Sequence, residues 1–317
     1  MMGDTRYEIR SDLIDTLTTD VPIIKAAVTS GNSEALLNSG ILRYNKAYWV
    51  NPLTGADTNS GLTPLLPFKT LAAAIVANNV AVAADITSRN VIYLQANSVV
   101  TITTLPNKCD VVGTGSAGGK AFPVITIANV IGAGTYVGTR FINVGLASPV
   151  GGGVIMTIPG TTSYISFLAC EFDGDSTTPA TKGILATAVV GLTIKGCRFV
   201  GKFSTTPINL GAGAGDGALI EDNYIESGDD GILIDTGYTC TDRISIIRNN
   251  LFNVADIVVN EVDGTSVAIV DNKGSSEDTG QLAKTFVYNP DLCSNNLISC
   301  GAGTTSIYPA QGAIPGA

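Results

Sequence analysis

The chain has 317 residues, 14% of them charged and 45% hydrophobic, with 36 glycines, no histidine and a formal net charge of −9. That charge repels a bare phosphate backbone or an anionic membrane surface, so nucleic acid is not an expected partner. The missing imidazole removes every mechanism that needs a histidine base, and six cysteines without CxxC spacing argue against zinc.

The first segment, "MMGDTRYEIRSD", has no basic start followed by an apolar core, so no secretory signal is read and assembly in a cytoplasm is expected. Residues 8–40 carry helical spacing at Ile9, Leu13 and Leu17, broken before Pro22. The spacing returns at Ala35, Leu36 and Leu37 after a Ser33 N-cap. This predicts a partly helical arm over residues 1–45, whose apolar stripe packs on the rest of the chain or docks to a partner. Both readings stay open. The next apolar run, "LAAAIVANNVAVAADI", is broken by Asn78, Asn79 and Asp85 and is too short for a membrane span, so no insertion is expected.

From residue 167 onward the sequence repeats. "FLACEFDG", "IKGCRFVG", "IEDNYIES" and "IRNNLFNV" align with steps of 27, 26 and 27 residues. One column holds Phe167, Ile194, Ile220 and Ile247; a second holds Cys170, Cys197, Asn223 and Asn250; a third holds Phe172, Phe199, Ile225 and Phe252. A further set, Ile184, Ile208, Ile232 and Ile257, recurs at 24, 24 and 25 residues. Each unit thus holds at least two short β-branched segments joined by Gly, Asp, Asn or Ser turns, with side chains alternating in and out. Units of this length are too short for βα repeats and lack a leucine-rich pattern. They fit a coil of parallel strands whose turns stack about 4.8 Å apart. In such a coil the second column is an internal ladder and the third an aromatic and aliphatic stack.

After residue 275 the repeat fades, and residues 276–317 read as an irregular C-terminal cap or tail. Cys293 and Cys300 could close a small loop there, though spacing alone does not pair them.

These columns resemble the right-handed, single-stranded parallel β-helix of the pectate-lyase-like superfamily. "YWVNPLTGADTNSGLTPLLPFKTLAAAI" (48–75) is similar to the opening motif of such folds: a strand, an Asp/Asn/Gly loop, then a short helix. The resemblance implies an all-β solenoid over residues 46–275, with a helix near 69–77 covering its open end. Short β-helices with an attachment arm look like phage spike proteins. The functional expectation is therefore a non-enzymatic virion component, a capsid decoration or tail-spike-like protein. It would be docked by its arm to other capsid or tail proteins and be homotrimeric, with a cell-surface polysaccharide as a further partner and no cofactor or metal.

The alternative is a polysaccharide hydrolase or lyase, with Asp229, Asp230 and Asp256 as an acidic site. Asp229–Asp230 resembles the paired aspartates of polygalacturonases, but Thr205, Thr206, Pro207 and Ile208 stand where their Asn-Thr-Asp element would be, and their Gly-His-Gly element cannot exist here. The pair therefore reads as a polar turn between strands, and no catalytic role is assigned. Arg198 lies one unit from Glu171 and reads as a surface ion pair. "DGDS" (173–176) and "GADTNSG" (55–61) read as ordinary turns before calcium loops. With the phenylalanines assigned inward, few rings remain to stack on sugars.

Overall fold

The computed structural model describes residues 45–308 except 86–88, 115–122, 128–130, 132–133, 149–151, 175–176, 241, 261–266, 277–291 and 301–304. The arm over residues 1–44 lies outside the described residues, as do Asp175 and the final segment 309–317.

Short β-branched runs cannot bury both faces alone, so each turn of this chain lays its strands on those of the turn before. The result is a parallel β-helix. A ten-stranded sheet takes one strand per turn in strict chain order, from Ala47–Val50 through Asn90–Leu94, Ser166–Leu168 and Leu219–Glu221 to Leu292–Ser294. A thirteen-stranded sheet forms the rest of the wall in two columns. The second column of the wall contains Glu171–Asp173, Arg198–Val200, Lys273–Ser276 and Asn296–Cys300; the third contains Val154–Ile158, Ala180–Thr187 and Phe203–Gly211. Two long strands, Tyr224–Ile234 and Asn250–Asn260, run through both columns and join them.

The interior is filled by like side chains in register. Phe141 and Phe167 stack with centroids 5.4 Å apart, and Phe172 and Phe199 at 4.5 Å with planes 3° apart. Ile184, Ile208 and Ile232 follow one another up the third column, all fully buried. Cys170, Cys197 and Asn223 are buried at the corner between the ten-stranded sheet and the second column.

That corner is made the same way on seven turns among the described residues. One residue takes a left-handed backbone, and the next points inward. The left-handed positions are Asn143, Ala169, Gly196, Asp222, Arg248, Asp271 and Asn295, with φ from 52° to 64°. Only one of the seven is glycine, so the bend is imposed by the pairing on either side of it rather than by local preference.

This corner corrects the register read from the sequence. Ile220 pairs with Ile246, not Ile247, and the inward residues of that turn are Asn249 and Leu251. Asn250 is exposed and Phe252 is 41% exposed. The third column slips likewise, with Ile232 opposite Val258 rather than Ile257. The turn from Asn223 to Asn249 is 26 residues long, and a one-residue slip turns every side chain of a strand to the opposite face.

The ends also differ from expectation. The helix α1 (Leu71–Ala84) extends well beyond Ala77. Thr70 caps it by accepting the Ala73 amide, and Asp57 holds the cap through Thr70 N at 2.8 Å and Lys69 N at 3.0 Å. Asn78 does not stop the helix. It is fully buried, accepting Asn90 Nδ2 at 3.0 Å and donating to the Asn107 carbonyl at 2.9 Å, which pins α1 to the first turns. At the other end the coil passes residue 275. Leu292–Ser294 and Asn296–Cys300 add a further parallel turn, and Thr305–Tyr308 closes the sheet as an antiparallel strand. An antiparallel final strand leaves no parallel edge in register for another turn.

Candidate functional site

The sequence-derived acidic residues fall on the third column. Asp229 and Asp230 do not form a turn. They lie within the continuous strand Tyr224–Ile234, which pairs with Arg198–Phe199 at one end and Ile208–Leu210 at the other. Satisfying both neighbours leaves no slack for a loop. Asp230 stands in register with Asp256 on the next turn, so their backbones are one strand spacing, about 4.8 Å, apart. The side chains of Asp229 and Asp256 lie outside the described residues.

Around Asp230 the coil gathers further polar groups. Thr206 Oγ1 lies 3.4 Å from Asp230 Oδ2, and Lys182 is in register with Thr206 one turn earlier. Lys182 Nζ donates to Asn209 Oδ1 at 2.8 Å. Asn209 is fully buried, and its Nδ2 has no hydrogen-bond partner. A buried amide donor left unpaired costs about 1–3 kcal/mol. A basic, a hydroxyl and two carboxylate-bearing positions thus follow one another over four turns. The signal for Lys182 lies in the isoleucine column: Lys182, Thr206 and Asp230 each stand two residues before Ile184, Ile208 and Ile232, whereas Asn209 belongs to no repeating polar column.

The inner ladder is the most regular polar structure in the molecule. Cys197 N donates to Asn223 Oδ1 at 2.8 Å, Asn223 N to Asn249 Oδ1 at 3.0 Å, Asn249 N to Asn272 Oδ1 at 2.9 Å and Asn272 N to Asn296 Oδ1 at 3.0 Å. Each amide nitrogen donates back to a carbonyl, that of Ile194, Ile220, Ile246 or Ile269, and those of Asn223, Asn249 and Asn272 also donate onward to the next asparagine. Asn272 and Asn296 were missed by the repeat alignment. Asn-final pairs at 222–223, 271–272 and 295–296 are the signal that would have added them. Cys170 and Cys197 occupy the same corner earlier in the coil, donating to the carbonyls of Phe141 and Phe167 at 3.4 and 3.3 Å. Burial, then the neighbouring Cys170 thiol, push the Cys197 thiol well above its usual range, so it is a packing group rather than a nucleophile.

Outside, charges pair between turns. Asp110 is buried between Arg89 and Arg140, with Nε atoms at 2.9 and 2.7 Å. Arg198 meets Glu171 at 2.8 Å, and Glu221 bridges Lys195 at 2.6 Å and Arg248. Lys195 and Arg248 hold Glu221 below the usual carboxylate range, and Arg248 does the same to Asp222. The "GADTNSG" loop uses both oxygens of Asp57 for the α1 cap. Asp173 of "DGDS" is exposed. Among the described residues no three His, Cys, Asp or Glu side chains gather to hold a metal, and no helix is long and apolar enough to cross a membrane. The side chains of Cys293 and Cys300 lie outside the described residues.

No family model matches the chain, and no curated protein does. Among solved structures the chain is similar to the crystal structure of a GH136 lacto-N-biosidase from Eubacterium ramulus, a selenomethionine derivative. The identity is 11%, over 93% of this chain and 71% of that one, with a TM-score of 0.42.

Proposed function

We propose that the chain is a non-enzymatic structural component of a bacteriophage virion, a capsid decoration or tail-spike-like protein. It docks to other virion proteins through residues 1–45, assembles as a homotrimer in the host cytoplasm, and presents its coil to a cell-surface polysaccharide. The observation that supports this best is where the apolar surface lies. Of nine exposed large hydrophobic side chains among the described residues, five (Leu53, Leu65, Leu66, Val76 and Val80) fall between the arm and the end of α1. The fourteen residues of α1 carry no charge, and Val76 and Val80 are 63% and 68% exposed. A helix apolar on both faces fits burial on both, and apolar surface gathered at one end of a rod suits attachment by that end.

The test is location. Labelled protein is expected to co-sediment with purified particles, and removal of residues 1–45 to abolish that binding while the coil stays folded. Light scattering should return three times the 32.5 kDa chain mass. Protein found only free of particles sinks the proposal.

The registered pair Asp230 and Asp256 favours a second reading, a glycoside hydrolase acting on a cell-surface glycan. Reducing ends released from a glycan panel, and lost in Asp230→Asn, would establish it; an inert protein removes it.

A further inference from the structure

The corrected register frees a ring that the sequence placed inside. Phe252 stands on the outer face of the second column, 41% exposed, with its centroid 5.3 Å from that of Tyr224. On its other side the residue in register is Ser275, too small to cover a phenyl face. The rim is polar: Glu226 is in register with Phe252 on the turn before, and exposed Asn250 and Lys273 pair on the adjoining row. The Arg198 guanidinium lies 5.9 Å from the Tyr224 ring centre, buttressing it from the turn before while paired to Glu171. On that same row, beyond Lys273, Leu297 is 39% exposed, and with Asp271, Lys273 and Asn295 it lines a shallow cavity of about 300 Å³.

An exposed ring, a polar rim carrying both signs of charge, and a cavity along the same line form a combining surface running parallel to the coil axis. We propose that this surface binds a chain of pyranose sugars, one ring stacking its C–H face on Phe252 and the next units running over Lys273 into the cavity. An apolar ring face edged by hydroxyls matches an aromatic plane edged by Asn, Glu and Lys. A stacked nucleobase would need the same plane, but the net charge of −9 opposes a phosphate backbone. This surface gives the polysaccharide partner a place on the coil and rests on that part of the proposed function. It is separate from the acidic residues of the third column.

The test is binding of full-length protein to an array of neutral and acidic pyranose oligosaccharides, followed by titration of the best binder. Phe252→Ala is expected to weaken binding at least tenfold, and Tyr224→Ala to weaken it by a similar factor. Tyr164→Ala, which removes a 62% exposed ring elsewhere on the coil, should leave it unchanged. Because Phe252 is on the surface, Phe252→Ser should keep the melting temperature and serves as a second variant. No binding across the array overturns the proposal, as does binding that both phenylalanine variants retain or preference for an oligonucleotide. Co-sedimentation with particles would be untouched by those failures, so the two readings fail separately.

Discussion

The corner of the coil is built twice, with different chemistry. In the earlier turns it holds Cys170 and Cys197, each donating weakly to a carbonyl and otherwise packing as a small apolar group. In the later turns it holds Asn223, Asn249, Asn272 and Asn296, each using both amide atoms to tie neighbouring turns together. The backbone bend is the same in both regions, down to the left-handed residue before each inward one. The bend therefore does not require asparagine. What the amides add is coupling between turns, since each Oδ1 satisfies donors that belong to the turn before.

The sharpest way to break this contrast is Asn249→Ala. It removes four side-chain hydrogen bonds and leaves the Asn223 backbone amide and the Ile220 carbonyl short of the partners they had. A loss of about 3–5 kcal/mol is expected in denaturant unfolding, summing several buried deletions of about 1–3 kcal/mol with partial relaxation. Asn250→Ala, one residue away and exposed, should change stability by less than about 0.5 kcal/mol. Equal effects at the two positions would overturn the register that turns Asn249 inward.

Cys197→Ala tests the other region. Only a weak Sγ bond and one small group are lost, so about 1–2 kcal/mol is expected, well under the asparagine effect. Gly196→Ala isolates the bend itself. An added Cβ meets no atom within 4 Å there, so the cost of about 1 kcal/mol should come from the positive φ of 64° alone.

The smallest effect is electrostatic and separates ladder from surface. Glu221 and Asp222 have folded-state values below their usual ones. Their contribution is present above the unfolded carboxylate values and lost as pH falls through the lowered ones, below about pH 4. Acid unfolding of Arg248→Met should begin at higher pH than wild type, with no change near pH 7 in the coupling measured between Asn223 and Asn249. Screening makes the shift small and reduces it further at high salt.

The repeat is legible in the columns, and one turn departs from it by a residue. "RNN" at 248–250 offers two consecutive asparagines, and spacing alone takes the second. The structure takes the first, because Arg248 has to occupy the left-handed corner for Ile246 and Leu251 both to point inward. The same slip hid Phe252 among the core residues and with it the outer aromatic pair. The acidic pair departs from its local sequence for another reason: "SGDDG" has turn composition, but strands on both neighbouring turns hold it extended. Lys182 and Thr206 stand two residues before Ile184 and Ile208, as Asp230 does before Ile232, so the isoleucine column lines them up, but only the structure brings buried Asn209 to Lys182.

The sequence by itself determined that strands repeat at intervals near twenty-six residues, that like stacks on like, and that no histidine chemistry occurs. These follow from composition and period, which any parallel coil must obey. The tertiary structure alone decided which asparagine of a pair turns inward, how far the coil runs and which rings face water. Those choices depend on hydrogen bonds between turns, and such bonds join residues that are distant along the chain.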